Sequence, residues 1–258
     1  MCELLAISSK TPIRINDVLK KFMSHSIDMP NGWGLALFDG GDSVNLEKEP
    51  LPAFKSRYLR ERIRRPIVTR GMMANLRLAT RGNMDYENCH PFVRRDNSGR
   101  AWTLIHNGTI FEAPVLDKYV RVQEGFTDSE RILFYLVDKI NAQQDGQRRI
   151  LRREERFETV NSLVCELAPN NKLNLIIHDG ELFYVHTNYK NSLFVRQDGD
   201  SALFSTVPLD EEKWNPVEFT TLTAYQEGEF VAAGTNHGAQ YVDDASKTKY
   251  LYMDFAEL

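Results

Sequence analysis

The stretch from residue 172 to residue 242 most narrows what this chain can fold into, because it is written in the two-residue period of strands, broken by tight turns. Residues 173–178 and 181–186 are rich in β-branched, aromatic and aliphatic side chains and are joined by Asp179-Gly180, a pair suited to the positive φ of a short hairpin loop. Residues 193–196 and 202–205 flank another turn at Asp198-Gly199-Asp200, and residues 217–222, 229–233 and 239–242 continue in strand character. Strands joined this way pair antiparallel, and they need a second layer to cover their apolar face.

The first half supplies partners for such a sheet. Residues 2–8 and 33–38 read as strands, the second preceded by a Pro30-Asn31-Gly32 turn and folded back through residues 39–42 onto 44–46. Residues 67–78 and 102–106 add two more strands. Helical spacing occurs at residues 16–23, where Val18, Leu19 and Phe22 share a face, and again beyond Asp128-Ser129-Glu130, where Ile132, Leu133, Leu136, Val137 and Ile140 do. Those three residues are expected to cap that helix. A second amphipathic helix is expected within residues 148–167. Strands lead, helices gather in two places and strands resume, which predicts one α+β domain over residues 1–258 with stacked antiparallel sheets.

Charge and composition exclude several functions. A net charge of −4 is the wrong sign for a general nucleic-acid footprint. The arginine-rich residues 57–65 are interrupted by Tyr58, Leu59 and Ile63 at helical spacing, so they read as a solvated helix face ended by Pro66. No apolar run reaches the roughly 18–20 residues of a membrane span, and the start lacks a secretory leader, so a cytoplasmic protein is expected. Cys2, Cys89 and Cys165 form neither a disulfide framework nor a metal-binding pair, and no metal or organic cofactor is implied. Cys89 and Cys165 read as packing residues.

Cys2 has a different prospect. Once Met1 is trimmed, as is usual before a small residue, Cys2 carries a free α-amine beside its thiol. The thiol titrates at about 8.5 and the amine at about 7.7–8.0, so a single residue supplies nucleophile and base near neutral pH. Four later segments hold the residue types such a thiol needs: Asn75 to Gly82, Asn88-Cys89-His90-Pro91-Phe92, His106-Asn107-Gly108-Thr109-Ile110, and Thr127-Asp128-Ser129-Glu130.

In this order the segments resemble the class II glutamine amidotransferases, most closely the stand-alone branch whose members begin Met-Cys-Glu-Leu-Leu and carry Gly-Trp-Gly. The resemblance is concentrated between Cys2 and Ile132, with Ser205-Thr206-Val207-Pro208-Leu209 and Trp214 similar to a later segment of that branch. It implies a four-layer αββα sandwich, the N-terminal nucleophile hydrolase fold, and removal of Met1. It further implies that Cys2 attacks the side-chain amide of L-glutamine, that Asn107 and Gly108 form the oxyanion pair, and that Arg77 and Asp128 hold the α-carboxylate and α-ammonium. Thr80 and Gly82 are then expected to shape a loop over the substrate, His90 to support that loop, His106 to be a core histidine beside Asn107, and Trp33 with Gly34 to line the wall.

Leu78 and Arg81 stand where the better-known synthase enzymes have tryptophan and histidine, and Asn75 where the stand-alone branch often has histidine. These differences touch the rim, so the group beyond the γ-glutamyl moiety is left open. Three functions follow: a glutaminase releasing glutamate and ammonia, where either a separate synthase subunit receives the ammonia or none is delivered; a hydrolase of γ-glutamyl amides or peptides using the same thioester chemistry; or a binding protein that keeps the fold without catalysis. A phosphate-cradling Gly-x-x-x-x-Gly-Lys-Ser/Thr loop is absent from the sequence.

Overall fold

Alternation of side chains along the strands sorts the apolar residues of this protein into three cores, stacked as layers. The computed structural model describes residues 2–41, 43–79 and 84–244. In chain order its regular elements are β1 (Glu3–Arg14), α1 (Asn16–Ser24), β2 (Trp33–Phe38), β3 (Val44–Glu49), α2 (Arg57–Arg64), β4 (Val68–Leu76), β5 (Phe92–Arg95) and β6 (Ala101–Thr109). They continue as α3 (Asp128–Gln147), α4 (Arg153–Leu167), β7 (Lys172–His178), β8 (Phe183–His186), β9 (Phe194–Asp198), β10 (Ser201–Ser205), β11 (Asn215–Pro216), β12 (Thr223–Gln226) and β13 (Glu229–Ala233). One sheet has the order β11-β9-β10-β1-β4-β2-β3 and the other β13-β12-β8-β7-β6-β5. All neighbouring strands in both run antiparallel.

On β1, Leu5 and Ile7 pack with Leu19, Phe22 and Leu59 of α1 and α2, whereas Leu4 and Ala6 face the opposite way and meet Ile105 and Ile176 of the other sheet. On β6 and β7, Leu104, Leu175 and Ile177 pack under α3 and α4. The order is therefore helix, sheet, sheet, helix, the αββα sandwich expected from the family resemblance. Each fully buried Leu, Ile or Phe in these layers contributes about 1.5–3 kcal/mol.

Local chemistry explains the element ends. The Asp179-Gly180 turn forms as read, with Gly180 at φ 88° and buried Asp179 accepting the Leu182 N–H at 2.8 Å and the Arg156 Nε–H at 2.7 Å. Helix α2 presents Arg57, Arg60, Arg64 and Tyr58 to solvent and buries Leu59, in keeping with a solvated face. No helix among the described residues is long and apolar enough to cross a membrane.

Three expectations are corrected. The helix foreseen within residues 148–167 begins only at Arg153, because Arg148 adopts a left-handed φ of 53° that ends α3. Residues 217–222 are not a ladder strand; the chain turns at Thr220 (φ 55°) and the paired strand is β12, immediately after. Residues 239–242 form no strand either, and are held instead through Tyr241 N–H to Asn188 O at 2.8 Å.

The buried histidines make stability depend on pH. His186 Nδ1–H donates to Leu173 O at 2.7 Å, and its Nε2 meets His237 Nε2 at 2.9 Å. His237 Nδ1 accepts the Ala239 N–H at 3.0 Å, so His237 Nε2–H is the donor and both rings are neutral. Burial pushes His186 down to about 3 and His178 down to about 4. An unfolded chain protonates both near pH 6.5, so their contribution is complete above that pH and is lost progressively as pH falls toward the folded values. Between pH 7.5 and pH 5 the two together cost about 4 kcal/mol of folding stability. Urea denaturation at the two pH values is expected to show a lower midpoint at pH 5, and an unchanged midpoint would contradict the assignment.

Candidate active site

Side-chain alternation carries several polar groups to one end of the space between the sheets. Extending the pattern of β1, Cys2 shares the inward face of Leu4 and Ala6; on β4, Asn75 and Arg77 share that of Met73. Gly34 does so with Ala36 on β2, and Asn107 with Ile105 on β6 of the opposite sheet. Contacts at the two ends set the overlap. At one end Phe38 lies against His178 with ring centroids 3.9 Å apart, and Gly228 N–H donates to Ser8 Oγ at 3.0 Å. At the other, a Cβ on Gly34 would fall 1.9 Å from His90 O, so only glycine lets the 89–91 segment lie against β2. Cys2 and Asn107 belong to that second end.

Cys2 is partly exposed, with Sγ 3.9 Å from Leu78 O. The neighbouring backbone is tightly held. Arg77 N–H donates to Gly32 O at 2.8 Å, Asn31 N–H to Arg77 O at 3.0 Å, and Ala79 N–H to Asn31 Oδ1 at 3.0 Å. The Pro30-Asn31-Gly32 turn thus braces Arg77, which is itself buried. Asn75 Nδ2–H donates to Glu3 O at 3.2 Å.

His90 is buried against the edge of Phe92, and neither of its ring nitrogens has a hydrogen-bond partner among the described residues. Burial, with the charges of His106 and Arg77 nearby, holds its pKa well below the ordinary value, so the ring is neutral. Lys48 Nζ donates to Cys89 O at 3.0 Å. Burial pushes the Cys89 thiol up to about 11, which keeps it protonated and unreactive. Cys89 is packed as expected, whereas Cys165 is half-exposed on α4.

Across the gap, Asn107 is buried with its Oδ1 unpartnered among the described residues. Gly108 is required by close packing: a Cβ there would lie 2.0 Å from Lys172 O and 2.3 Å from His106 Nε2. His106 faces α3, with Nδ1 3.0 Å from Ser129 Oγ and Nε2 3.3 Å from Lys172 O. Burial lowers its pKa against the opposing pull of Asp128. The cap of α3 is Thr127, whose Oγ1 accepts the Glu130 N–H at 3.2 Å. Asp128 is therefore not the cap. Its Oδ2 accepts the Ile110 N–H at 2.7 Å, tying the helix start to the strand end that carries Asn107 and Gly108.

The sequence-derived residues Cys2, Arg77, His90, Asn107, Gly108 and Asp128 thus gather at one end of the sandwich, whereas Thr80 and Gly82 lie outside the described residues. Trp33 does not line the wall. It alternates onto the helix side of β2 with Leu35, stacks on Tyr58 and donates from Nε1 to Glu49 Oε2 at 3.0 Å. Three supports carry no sequence signal of their own: Asn31, Lys48, and Asn88, whose Oδ1 accepts the Phe126 N–H at 2.7 Å. Asn31 sits in a legible turn motif, but only the fold shows that it reaches residue 79.

The layered architecture has counterparts among solved structures. Glutamine phosphoribosylpyrophosphate amidotransferase from B. subtilis matches with a TM-score of 0.65 at 15% identity, over 90% of this chain and 48% of that one. A predicted glutamine amidotransferase from Pseudomonas aeruginosa PA01 matches with a TM-score of 0.57 at 20% identity, over 90% of this chain and 100% of that one. These define the fold class. Residues 1–199 match the model of the class-II glutamine amidotransferases, and the chain belongs to that family. YafJ of Escherichia coli K12, a candidate glutamine amidotransferase, is 30% identical over 193 residues, covering 73% of this chain and 74% of YafJ.

Proposed function

We propose that this protein is a glutaminase that cleaves L-glutamine to glutamate and ammonia through a γ-glutamyl thioester on Cys2. The observation that carries the reading is the set of buried polar atoms left without partners among the described residues at the Cys2 end: Asn75 Oδ1, both His90 nitrogens and Asn107 Oδ1. A buried unpaired polar atom costs about 1–3 kcal/mol, a penalty that a polar substrate relieves.

In this reading Met1 is removed and the Cys2 α-amine takes the thiol proton as sulfur attacks the carboxamide carbon. The C–S bond forms, and the carbonyl oxygen becomes an oxyanion received by the Asn107 side-chain N–H and the Gly108 backbone N–H. Collapse breaks the C–N bond, the protonated α-amine returns its proton to nitrogen, and ammonia leaves. Water then attacks the thioester and releases glutamate. Arg77 forks onto the substrate α-carboxylate and Asp128 takes the α-ammonium. Thr80 and Gly82 complete the substrate loop. The protein acts in the cytoplasm, and a separate synthase subunit receives the ammonia.

The test is intact-mass analysis before and after exposure to 6-diazo-5-oxo-norleucine, which alkylates a thiol seated in a glutamine pocket. A starting mass without Met1 and one adduct mapping to Cys2 are expected. A trimmed chain that takes no adduct but cleaves γ-glutamyl peptides would shift the assignment to the larger amide, and inertness toward both would leave a binding protein of the same fold.

A further inference from the structure

The end of the sandwich opposite Cys2 holds a second cleft, of about 250 Å³, that the chemistry above does not use. It opens where the β2–β3, β7–β8 and β12–β13 turns converge, and Ser8, Phe38, Arg70, His178, Glu181 and Glu227 are among the residues that line it. Ser8 lies six positions along the chain from Cys2, about 20 Å at a strand's rise. The space between is filled by Leu4, Ala6, Met73, Ile105 and Ile176, so this cleft is distinct from the first.

A donor is built into it. His178 is 5% exposed and packed against the rings of Phe38 and Phe183, with centroids at 3.9 Å and 4.4 Å. Its Nδ1 accepts the Gly180 N–H at 3.3 Å, which leaves the proton of the neutral ring on Nε2. That Nε2–H has no partner among the described residues. The ring is buried while the residue lines the cleft, so this N–H is a donor open to whatever occupies it.

Arg70 and Glu227 are exposed residues lining the same cleft, and neither makes an ion pair among the described residues. Glu181, the remaining charge in the lining, is already engaged by Arg156 at 2.5 Å. A simple anion would satisfy Arg70 and His178 but would face the Glu227 carboxylate. A simple cation would have the reverse defect. The volume lies below the ~300–1,000 Å³ of pockets for drug-sized ligands, which points to a small occupant.

We propose that this cleft binds a free α-amino acid, its carboxylate between His178 Nε2–H and Arg70 and its ammonium at Glu227. Neutral His178 supplies a directed hydrogen bond, Arg70 the charge, and Glu227 discriminates zwitterions from plain carboxylates. The site does not depend on turnover at Cys2.

The experiment is titration of the full-length, ¹⁵N-labelled protein with L-alanine, followed at the His178 ring nitrogens, the Arg70 side-chain N–H and the Gly180 amide. These probes report the far cleft even if the amino acid also enters the other end. Saturable shifts at all three are expected. Arg70→Ala and His178→Phe, the latter keeping an aromatic ring against its two neighbours, are each expected to weaken binding by about 10- to 100-fold. Acetate is expected to bind at least tenfold more weakly than L-alanine to the wild type, and Glu227→Gln is expected to narrow that gap by weakening L-alanine and easing acetate. Absence of saturable shifts, or affinity unchanged in folded Arg70→Ala, would overturn the site. Acetate binding as tightly as L-alanine would overturn the amino-acid assignment.

Discussion

Cys2→Ser is expected to abolish glutamate release, by roughly 10⁴-fold or more, while leaving the folded protein nearly as stable as the wild type. Both halves follow from where the side chain sits. Cys2 precedes β1, is partly exposed, belongs to none of the three cores, and makes one long contact, to Leu78 O at 3.9 Å. Replacing sulfur by oxygen there removes no packing, and substitutions at such positions usually move stability by no more than about 0.5 kcal/mol. The chemistry is less forgiving, because a hydroxyl is far harder to deprotonate than a thiol and the base in question is only an α-amine. Serine is also small enough for Met1 to be trimmed, so the variant separates loss of the thiol from loss of the free amine. Glutamate release assayed beside urea denaturation and intact mass checks the prediction. Normal turnover in a trimmed, folded Cys2→Ser chain would remove Cys2 from the mechanism and redirect attention to another nucleophile.

Much of this arrangement is legible in the amino-acid sequence, for identifiable physical reasons. The Asp179-Gly180 hairpin and the apolar face of α3 follow from local periodicity and turn chemistry, which operate within a few residues. Cys2, Arg77, Asn107 and Asp128 are legible as a set only through the resemblance to the class II glutamine amidotransferases, since each segment alone reads as a strand start, a surface charge, a turn or a helix cap. Long-range pairing is not legible. Thr127 and Asp128 are both good cap residues, and only the Ile110 N–H, which engages Asp128 from 18 residues away, decides which of them caps. Trp33 is adjacent to Gly34 yet faces the other way, since one position along a strand exchanges the inter-sheet space for the helix layer. Residues 217–222 have strand composition but the backbone turns at Thr220, a conformation no β-propensity encodes. Nor does His178 differ from an ordinary strand histidine in the sequence; Phe38, 140 positions away in the chain, and Phe183 come to pack against it only through the fold.

Asn107→Ala offers the second large effect, and its signature is one that a purely structural role cannot produce. The side chain is buried and directed between the sheets at the Cys2 end, and its Oδ1 is left without a partner among the described residues. A residue retained for stability would be expected to satisfy that oxygen, since an unmatched buried carbonyl costs about 1–3 kcal/mol. Truncation to alanine should therefore leave the denaturation midpoint unchanged or raise it slightly. Catalysis should move the opposite way: losing a donor to the oxyanion costs about 2.7–4 kcal/mol of transition-state stabilisation, roughly 10²–10³ in kcat. The donor acts on charge that develops only as sulfur attacks, so KM for glutamine should change little while kcat and kcat/KM fall together. Gly108→Ala provides the contrast. Its new Cβ would press on Lys172 O and His106 Nε2, displacing β6 from β7 and lowering stability and turnover together. Steady-state kinetics and urea midpoints for the two variants discriminate the roles: a destabilised Asn107→Ala with proportionate loss of activity would make Asn107 a structural residue and leave the oxyanion without its side-chain donor.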